Sequence, residues 1–233
     1  MKYLIPCAGL GTRLSPITDK IPKELVPING KPVIWYTIDL INKTDKKAKI
    51  CIVLSPKKNT VKRYLLSAFP KNNFVFVIQK KPIGLANAVY QAKKFVNGST
   101  FLLMFPDHFQ LDTKLLSYFV NSKYPLILAQ KENEKNSLKY GVIFLNKNKT
   151  ISKIIEKPKF LPKGFYLCSQ CYYLLPNSIF DAIKNIKTEY LQDAINLTIK
   201  DGEKYFVYDK KYKSYDMGTL KGLEKTQREI KKI

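Results

Sequence analysis

A chain of 233 residues, 45% hydrophobic and 12% aromatic, can bury a substantial core without staples, which excludes a disordered protein. Lys and Arg number 41 against 18 Asp and Glu, a formal net charge of +23, but Arg13, Arg63 and Arg228 are the arginines and lysine supplies the rest. Nucleic-acid readers lean on the bidentate arginine fork, so the dispersed lysine excess says little about a macromolecular partner, while its field suits small polyanionic ligands.

The longest apolar runs, such as Phe101–Phe105, fall far below the roughly 20 residues of a membrane helix. The opening Lys2-Tyr3-Leu4-Ile5-Pro6 is too brief for a secretory core, and cysteines at 7, 51, 168 and 171 fit a reducing compartment better than a disulfide framework. The expectation is a cytoplasmic protein with no membrane partner.

In chain order, Lys2–Cys7 reads as a short apolar strand and Ala8–Pro22 as a loop rich in Gly, Thr, Pro and Asp. Pro32–Asn42 puts Ile34, Ile38 and Ile41 on one helical face. The alternation continues with strand Lys49–Leu54, helix Asn59–Ser67, strand Phe74–Ile78, helix Gly84–Val96 and strand Thr100–Phe105, which implies a mostly parallel sheet covered on both faces. Beyond about residue 125 strands follow more closely: Pro125–Gln130, Tyr140–Leu145, Thr150–Glu156 and Phe165–Leu174. Helices Asn177–Ile186 and Glu189–Asp201, strands Tyr205–Tyr208 and Lys213–Asp216, and a last helix Leu220–Lys232 complete a mixed half. With no linker, repeat or low-complexity tract, one domain over residues 1–233 is the economical reading.

The segment Cys7-Ala8-Gly9-Leu10-Gly11-Thr12-Arg13 follows the first strand directly, with Pro22-Lys23-Glu24 further on. Glycines at a strand's carboxyl end let backbone N–H groups approach phosphate oxygens that a Cβ would obstruct, so this is a candidate phosphate cradle; an ordinary turn is the alternative, which Arg13 and Lys23 weigh against. It is not a dinucleotide fingerprint, since Leu14 stands where a third glycine is needed, nor a Walker A loop. Asp107 follows the most hydrophobic strand and so sits where ligands bind in open α/β sheets, although a lone Asp there also serves as a cap or turn former. Gln79 and Gly84 flank a strand-to-helix turn, and an amide can pair with a base edge. Tyr140-Gly141 and Glu156-Lys157 begin and end successive predicted strands, a hairpin; Glu156 with Lys157 can equally be a surface ion pair.

The runs Ala8–Thr18, Pro22–Ile28 and Lys31–Ile34, with Gln79, Gly84-Leu85-Ala86-Asn87-Ala88, Pro106-Asp107, Tyr140-Gly141-Val142, Glu156-Lys157-Pro158 and Asp216-Met217-Gly218-Thr219, resemble in order and spacing the sugar-1-phosphate nucleotidyltransferase family, across nearly the full chain. This group includes glucose-1-phosphate thymidylyltransferase and UTP-glucose-1-phosphate uridylyltransferase. The resemblance implies an α/β, Rossmann-like three-layer nucleotidyltransferase (nucleotide-diphospho-sugar transferase) fold with a mixed, mainly parallel central sheet. It implies that the N-terminal half binds nucleotide and the C-terminal half sugar phosphate. The implied substrates are a nucleoside triphosphate, UTP or dTTP favoured, and a sugar-1-phosphate, glucose-1-phosphate favoured. Cytidylyl or guanylyl transfer, and phosphocholine as acceptor, are alternatives within the same chemistry.

By the same resemblance Ala8, Gly9, Gly11, Thr12, Arg13, Gln79 and Gly84 bind the nucleotide, and Lys23, Tyr140, Gly141, Glu156 and Lys157 the sugar phosphate. Arg13, Lys23 and Asp107 are the implied catalytic residues, and Asp107 and Asp216 the Mg²⁺ ligands. A phosphate monoester is already an anionic nucleophile, so aligned cations and a metal suffice without a protein base. Several relatives carry a C-terminal β-helix with a second activity; the expectation here is a chain without one, with self-association left open.

Cys171 takes the position where the family usually has a glycine, with consequences for sugar identity, and His108, the lone histidine, cannot form a multi-histidine site. Cys168-x-x-Cys171 invites a zinc or redox reading, but residues three apart on a strand face opposite ways, so packing thiols are expected. Tyr205–Lys213 interleaves aromatics and lysines as single-strand binders do; its alternation better fits a half-buried strand, and no nucleic-acid partner is expected.

Overall fold

A computed structural model describes residues 1–230. Its centre is a nine-stranded sheet. Lys2–Cys7 lies between Phe101–Met104 and Lys49–Leu54, with Asn73–Ile78 outermost, and all three ladders of this block are parallel. The long strand Phe165–Leu175 joins this block to the other strands. Its Tyr172–Leu175 end runs antiparallel to Phe101–Met104, while Leu167 and Cys168 pair with Gly141–Leu145, which pairs in turn with Ile151–Glu156. Leu126–Asn133 pairs with the same long strand and takes Phe206–Tyr208 alongside in parallel. The expected mixed, mainly parallel α/β sheet is therefore present.

Alternation along the strands feeds two cores. Tyr3, Ile5 and Cys7 face the helices Val33–Thr44, Asn59–Ala68 and Thr113–Val120, while Leu4 and Val53 face Gly84–Gln91, Ile179–Ile186 and Leu191–Lys200. The helix expected over Gly84–Val96 is two pieces that break at Ala92, Gly84–Gln91 and Lys93–Val96. Thr113–Val120 is a helix beyond the predicted set: Asp112 caps it by accepting from the backbone of Lys114 at 2.8 Å and Leu115 at 3.2 Å, and Leu115, Leu116 and Phe119 form its buried face. The last helix spans Leu220–Ile230; the remainder of the one expected to reach Lys232 lies outside the described residues.

A third, smaller core sits under the sheet's carboxyl edge. Tyr36, Phe109 and Tyr215 stack in sequence, with ring centroids 5.2 and 5.4 Å apart, and Leu14, Val26, Met217 and Leu223 surround them. This cluster carries a ribbon of two-residue strands, His108–Phe109 and Tyr215–Asp216. Among the described residues no helix is long and apolar enough to cross a membrane.

Candidate active site

The first strand ends at Cys7, and the chain turns through Gly11 at φ 76° into a single 3-10 turn, Thr12–Leu14. That left-handed angle suits glycine, and a Cβ there would stand 3.2 Å from both Lys23 Cβ and Thr18 Cγ2. Thr18 Oγ1 donates to the Gly11 carbonyl at 2.9 Å. The backbone N–H groups of Gly9, Leu10 and Gly11 have no acceptor among the described residues, so the loop presents a row of free donors.

Lys23 rises from a second 3-10 turn, Lys23–Leu25, and its ammonium donates to Asp107 Oδ2 at 2.6 Å. Burial works against charge on Lys23, but the carboxylates of Asp107 and Glu24 outweigh it and hold its pKa above the ordinary value. Burial likewise opposes ionisation of Asp107, and the Lys23 ammonium more than compensates, leaving that carboxyl below the usual range. The ribbon brings the second acid to the first: Asp216 is registered opposite His108, and Met217 N donates to the Asp107 carbonyl at 3.0 Å. Asp216 Oδ1 accepts from Gly218 N at 2.9 Å. A Cβ on Gly218 would stand 3.2 Å from Arg13 Nη2 and 3.2 Å from Asp216 Oδ1, so that glycine makes room where guanidinium and carboxylate converge. Burial lowers the His108 pKa against the opposing pull of Asp216 and Asp107.

At the opposite flank Gln79 Nε2 donates to the Gly84 carbonyl at 3.0 Å and to Asn87 Oδ1 at 3.1 Å. Its amide donors are thus engaged within the protein, and what it offers a ligand is the carbonyl oxygen. Gly84, at φ 88°, has a packing reason to be glycine as well: a Cβ would overlap the backbone of Glu189.

Hairpin register places Glu156 opposite Gly141, and a Cβ on Gly141 would come within 2.6 Å of Ser169 Oγ and 3.0 Å of Glu156 Oε2. Lys157 takes φ 45°, its N–H donates to the Tyr140 carbonyl at 3.0 Å, and its ammonium stands 3.7 Å from Glu156 Oε1. Burial raises the Glu156 pKa, opposed by Lys157. The Tyr140 phenol is pushed up to about 12, by burial first and then by Asp216 and Glu132.

Every residue that the resemblance assigns to the site borders one cavity of about 630 Å³: Ala8, Gly9, Gly11, Thr12, Arg13, Lys23, Gln79, Gly84, Asp107, Asp216, Tyr140, Gly141, Glu156 and Lys157. One expectation is corrected. Cys171 is fully buried in the core shared with Tyr3 and Met104, and Gln170 faces the cavity instead. The pairing of Phe165–Leu175 with Leu126–Asn133 shifts register between Ser169 and Tyr173, and this irregularity lets adjacent residues Ser169 and Gln170 both reach the cavity. Sequence reasoning missed Ser169, Gln170 and Gln192 there; the polar Ser-Gln pair inside an otherwise apolar strand is a signal for the first two, and nothing comparable marks Gln192. Ser169 Oγ is buried with no partner among the described residues. All four cysteines are free and buried, and burial pushes the Cys168 and Cys171 thiols up, as packing thiols require.

Among the described residues no group of three or more His, Cys, Asp and Glu could enclose a metal. Asp107 and Asp216 on one cavity wall are instead the open, all-oxygen donor set that suits Mg²⁺, which takes one or two carboxylates and completes its octahedron with water and substrate phosphates.

A loop of free N–H groups and fixed cations over the carboxyl edge of a mainly parallel sheet defines the class of α/β proteins that hold phosphorylated ligands at this edge. Within that class, the chain belongs to the nucleotidyl transferase family, whose description its sequence matches over residues 2–233. The bifunctional protein GlmU of Methanococcus maripaludis is 32% identical over 218 residues, which cover 91% of this chain and 50% of that protein. The chain thus spans about half the length of the curated relatives it matches. Among solved structures, a UDP-glucose pyrophosphorylase complexed with UDP-glucose superposes with a TM-score of 0.85 at 24% identity, covering 99% of this chain and 98% of the other. A UTP-bound UGPase from Acinetobacter baumannii gives 0.81 at 24% identity over 98% and 92%. These likenesses carry the fold.

Proposed function

We propose that the chain transfers a nucleotidyl group from a nucleoside triphosphate, UTP or dTTP, to a sugar-1-phosphate, glucose-1-phosphate foremost, giving a nucleotide sugar and pyrophosphate. A phosphate oxygen of the sugar-1-phosphate attacks the α-phosphorus, that P–O bond forms, and the bond to the bridging oxygen of the departing pyrophosphate breaks. The single observation that carries this reading is the convergence of the free loop N–H groups, Arg13, Lys23, Asp107 and Asp216 on one cavity with room for two substrates. Asp107 and Asp216 would hold Mg²⁺, which supplies neutralisation of phosphate charge when bound. The loop donors and Arg13 orient the triphosphate, and Lys23 exchanges Asp107 for phosphate oxygens near the reaction centre. The Gln79 carbonyl oxygen accepts from a base imide. Tyr140, Glu156 and Lys157 hold the sugar and its phosphate, so the N-terminal half serves the nucleotide and the C-terminal half the acceptor. The four free, buried thiols fit a cytoplasmic setting.

Pyrophosphate release from a matrix of UTP, dTTP, CTP, GTP and ATP against several sugar-1-phosphates tests the reading. Turnover is expected with UTP or dTTP, with Mg²⁺ and not with a chelator present; silence across the whole matrix would overturn it.

The sugar end makes a second prediction. Ser169, Gln170 and Gln192 offer only uncharged hydrogen-bonding groups, and Gln170 Nε2 spends one donor on the Cys168 carbonyl at 3.2 Å, which fixes the side chain. Gln170→Gly is expected to shift the ratio of kcat/KM between glucose-1-phosphate and N-acetylglucosamine 1-phosphate by about tenfold, the scale of one lost polar contact plus opened space. An unchanged ratio would remove Gln170 from the acceptor site.

A further inference from the structure

Lys58 has no part in the chemistry above, yet it lies directly beneath the loop that the chemistry needs. It stands between the strand Lys49–Leu54 and the helix Asn59–Ala68, and is 7% exposed. Its ammonium donates at 2.8 Å to both carboxylate oxygens of Glu24, itself fully buried, and at 2.6 Å to the carbonyl of Gly9. Three donors thus meet three acceptors, a complete satisfaction of a buried charge. Neither Lys58 nor Glu24 borders the cavity.

Which carbonyl Lys58 takes is the informative detail. The Gly9–Leu10 peptide is trans, and in a trans peptide the C=O and N–H point opposite ways. Drawing the Gly9 oxygen down onto Lys58 therefore turns the Leu10 N–H away from the interior, among the loop donors that lack an acceptor within the described residues. Glu24 adjoins Lys23, so the same buried pair also fixes the backbone that presents the Lys23 ammonium. We infer that Lys58 is a positioning residue for the phosphate loop: held by Glu24, it pins the Gly9 carbonyl and presets the N–H groups that receive a triphosphate. This rests on the nucleotide reading above.

An ordinary stabilising ion pair makes a different forecast from a positioning device. A buried pair replaced on both sides by apolar residues of similar size often loses no stability. The double variant Lys58→Met with Glu24→Leu is therefore expected to melt close to the wild-type temperature while its affinity for UTP, by titration calorimetry, falls about tenfold or more because the loop is no longer preset. KM for the triphosphate should rise with it. Recovery of both melting temperature and UTP affinity in the double variant would overturn the inference. Should that variant not fold, Lys58→Arg and Lys58→Gln decide: Arg keeps charge and donors and is expected within about threefold of wild-type affinity, with Gln about tenfold weaker, and equal affinities would overturn the inference. Absence of any triphosphate binding by the wild-type protein would instead refute the nucleotide reading itself.

Discussion

Lys23→Ala is expected to lower kcat for pyrophosphate release by about 100- to 1,000-fold, the cost of removing one preorganised charge from a phosphoryl-transfer site, about 2.7 to 4 kcal/mol. Two features support this expectation. Its ammonium lies 2.6 Å from Asp107 Oδ2, and Gly9 leaves open the space above it, where a Cβ would be 3.6 Å from Nζ. Lys23 and Asp107 each hold the other in its charged form, so an incoming phosphate and a cation can each displace one partner of a pair already ionised. The alanine variant also leaves Asp107 without its partner, and a melting curve separates that loss from the catalytic one. A folded Lys23→Ala protein turning over within about threefold of wild type would remove Lys23 from the reaction centre. Arg13→Ala is expected to fall in the same range, with less effect on stability, because no ion pair of Arg13 occurs among the described residues.

Gly84→Ala is expected to lower Tm by about 4 to 20 °C. Left-handed backbone costs an alanine about 1 to 2 kcal/mol, and overlap with a neighbour adds about 1 to 3 kcal/mol. At about 2 to 4 °C per kcal/mol for a chain of this size, the sum gives that range. Glu189 is the neighbour: its backbone lies against Gly84, and its carbonyl accepts from Ala86 N at 3.1 Å. Since Gly84 also accepts from Gln79, and Glu189 leads to Gln192 in the cavity wall, moving this contact should raise KM for both substrates. Gly98 supplies the control. It has φ 75° with nothing within 4 Å of a built Cβ, so Gly98→Ala should carry only the backbone cost. Equal melting temperatures for the two variants would mean that the Glu189 contact yields without cost.

Much of the fold is legible along the chain because its determinants are local. The parallel block follows from short apolar strands alternating with helices whose apolar residues recur every three or four positions, and the hairpin ending in Glu156-Lys157 follows from two closely spaced runs. What escaped was shaped by neighbours. Thr113–Val120 carries an Asp cap and a short apolar stripe that reads as a helix only once the loop after Asp107 is known to end. The break at Ala92 leaves no mark in a periodic pattern that runs unbroken to Val96.

The site divides the same way. Residue order alone marked Gly9, Gly11, Arg13 and Lys23 as a candidate phosphate loop after the first strand, because glycine placement and cation spacing act within a short stretch of chain. Only the tertiary structure decided that Asp107 and Asp216 share a wall, through a two-residue ribbon held on a stack of aromatic rings. It also decided that Gln170 and not Cys171 faces the cavity, that Gly84 is needed by Glu189, and that Lys58 grips Gly9. Each of those outcomes depends on a register shift, a close approach or a buried charge between segments far apart in the chain, and such contacts are set by packing, which no local pattern of side chains encodes.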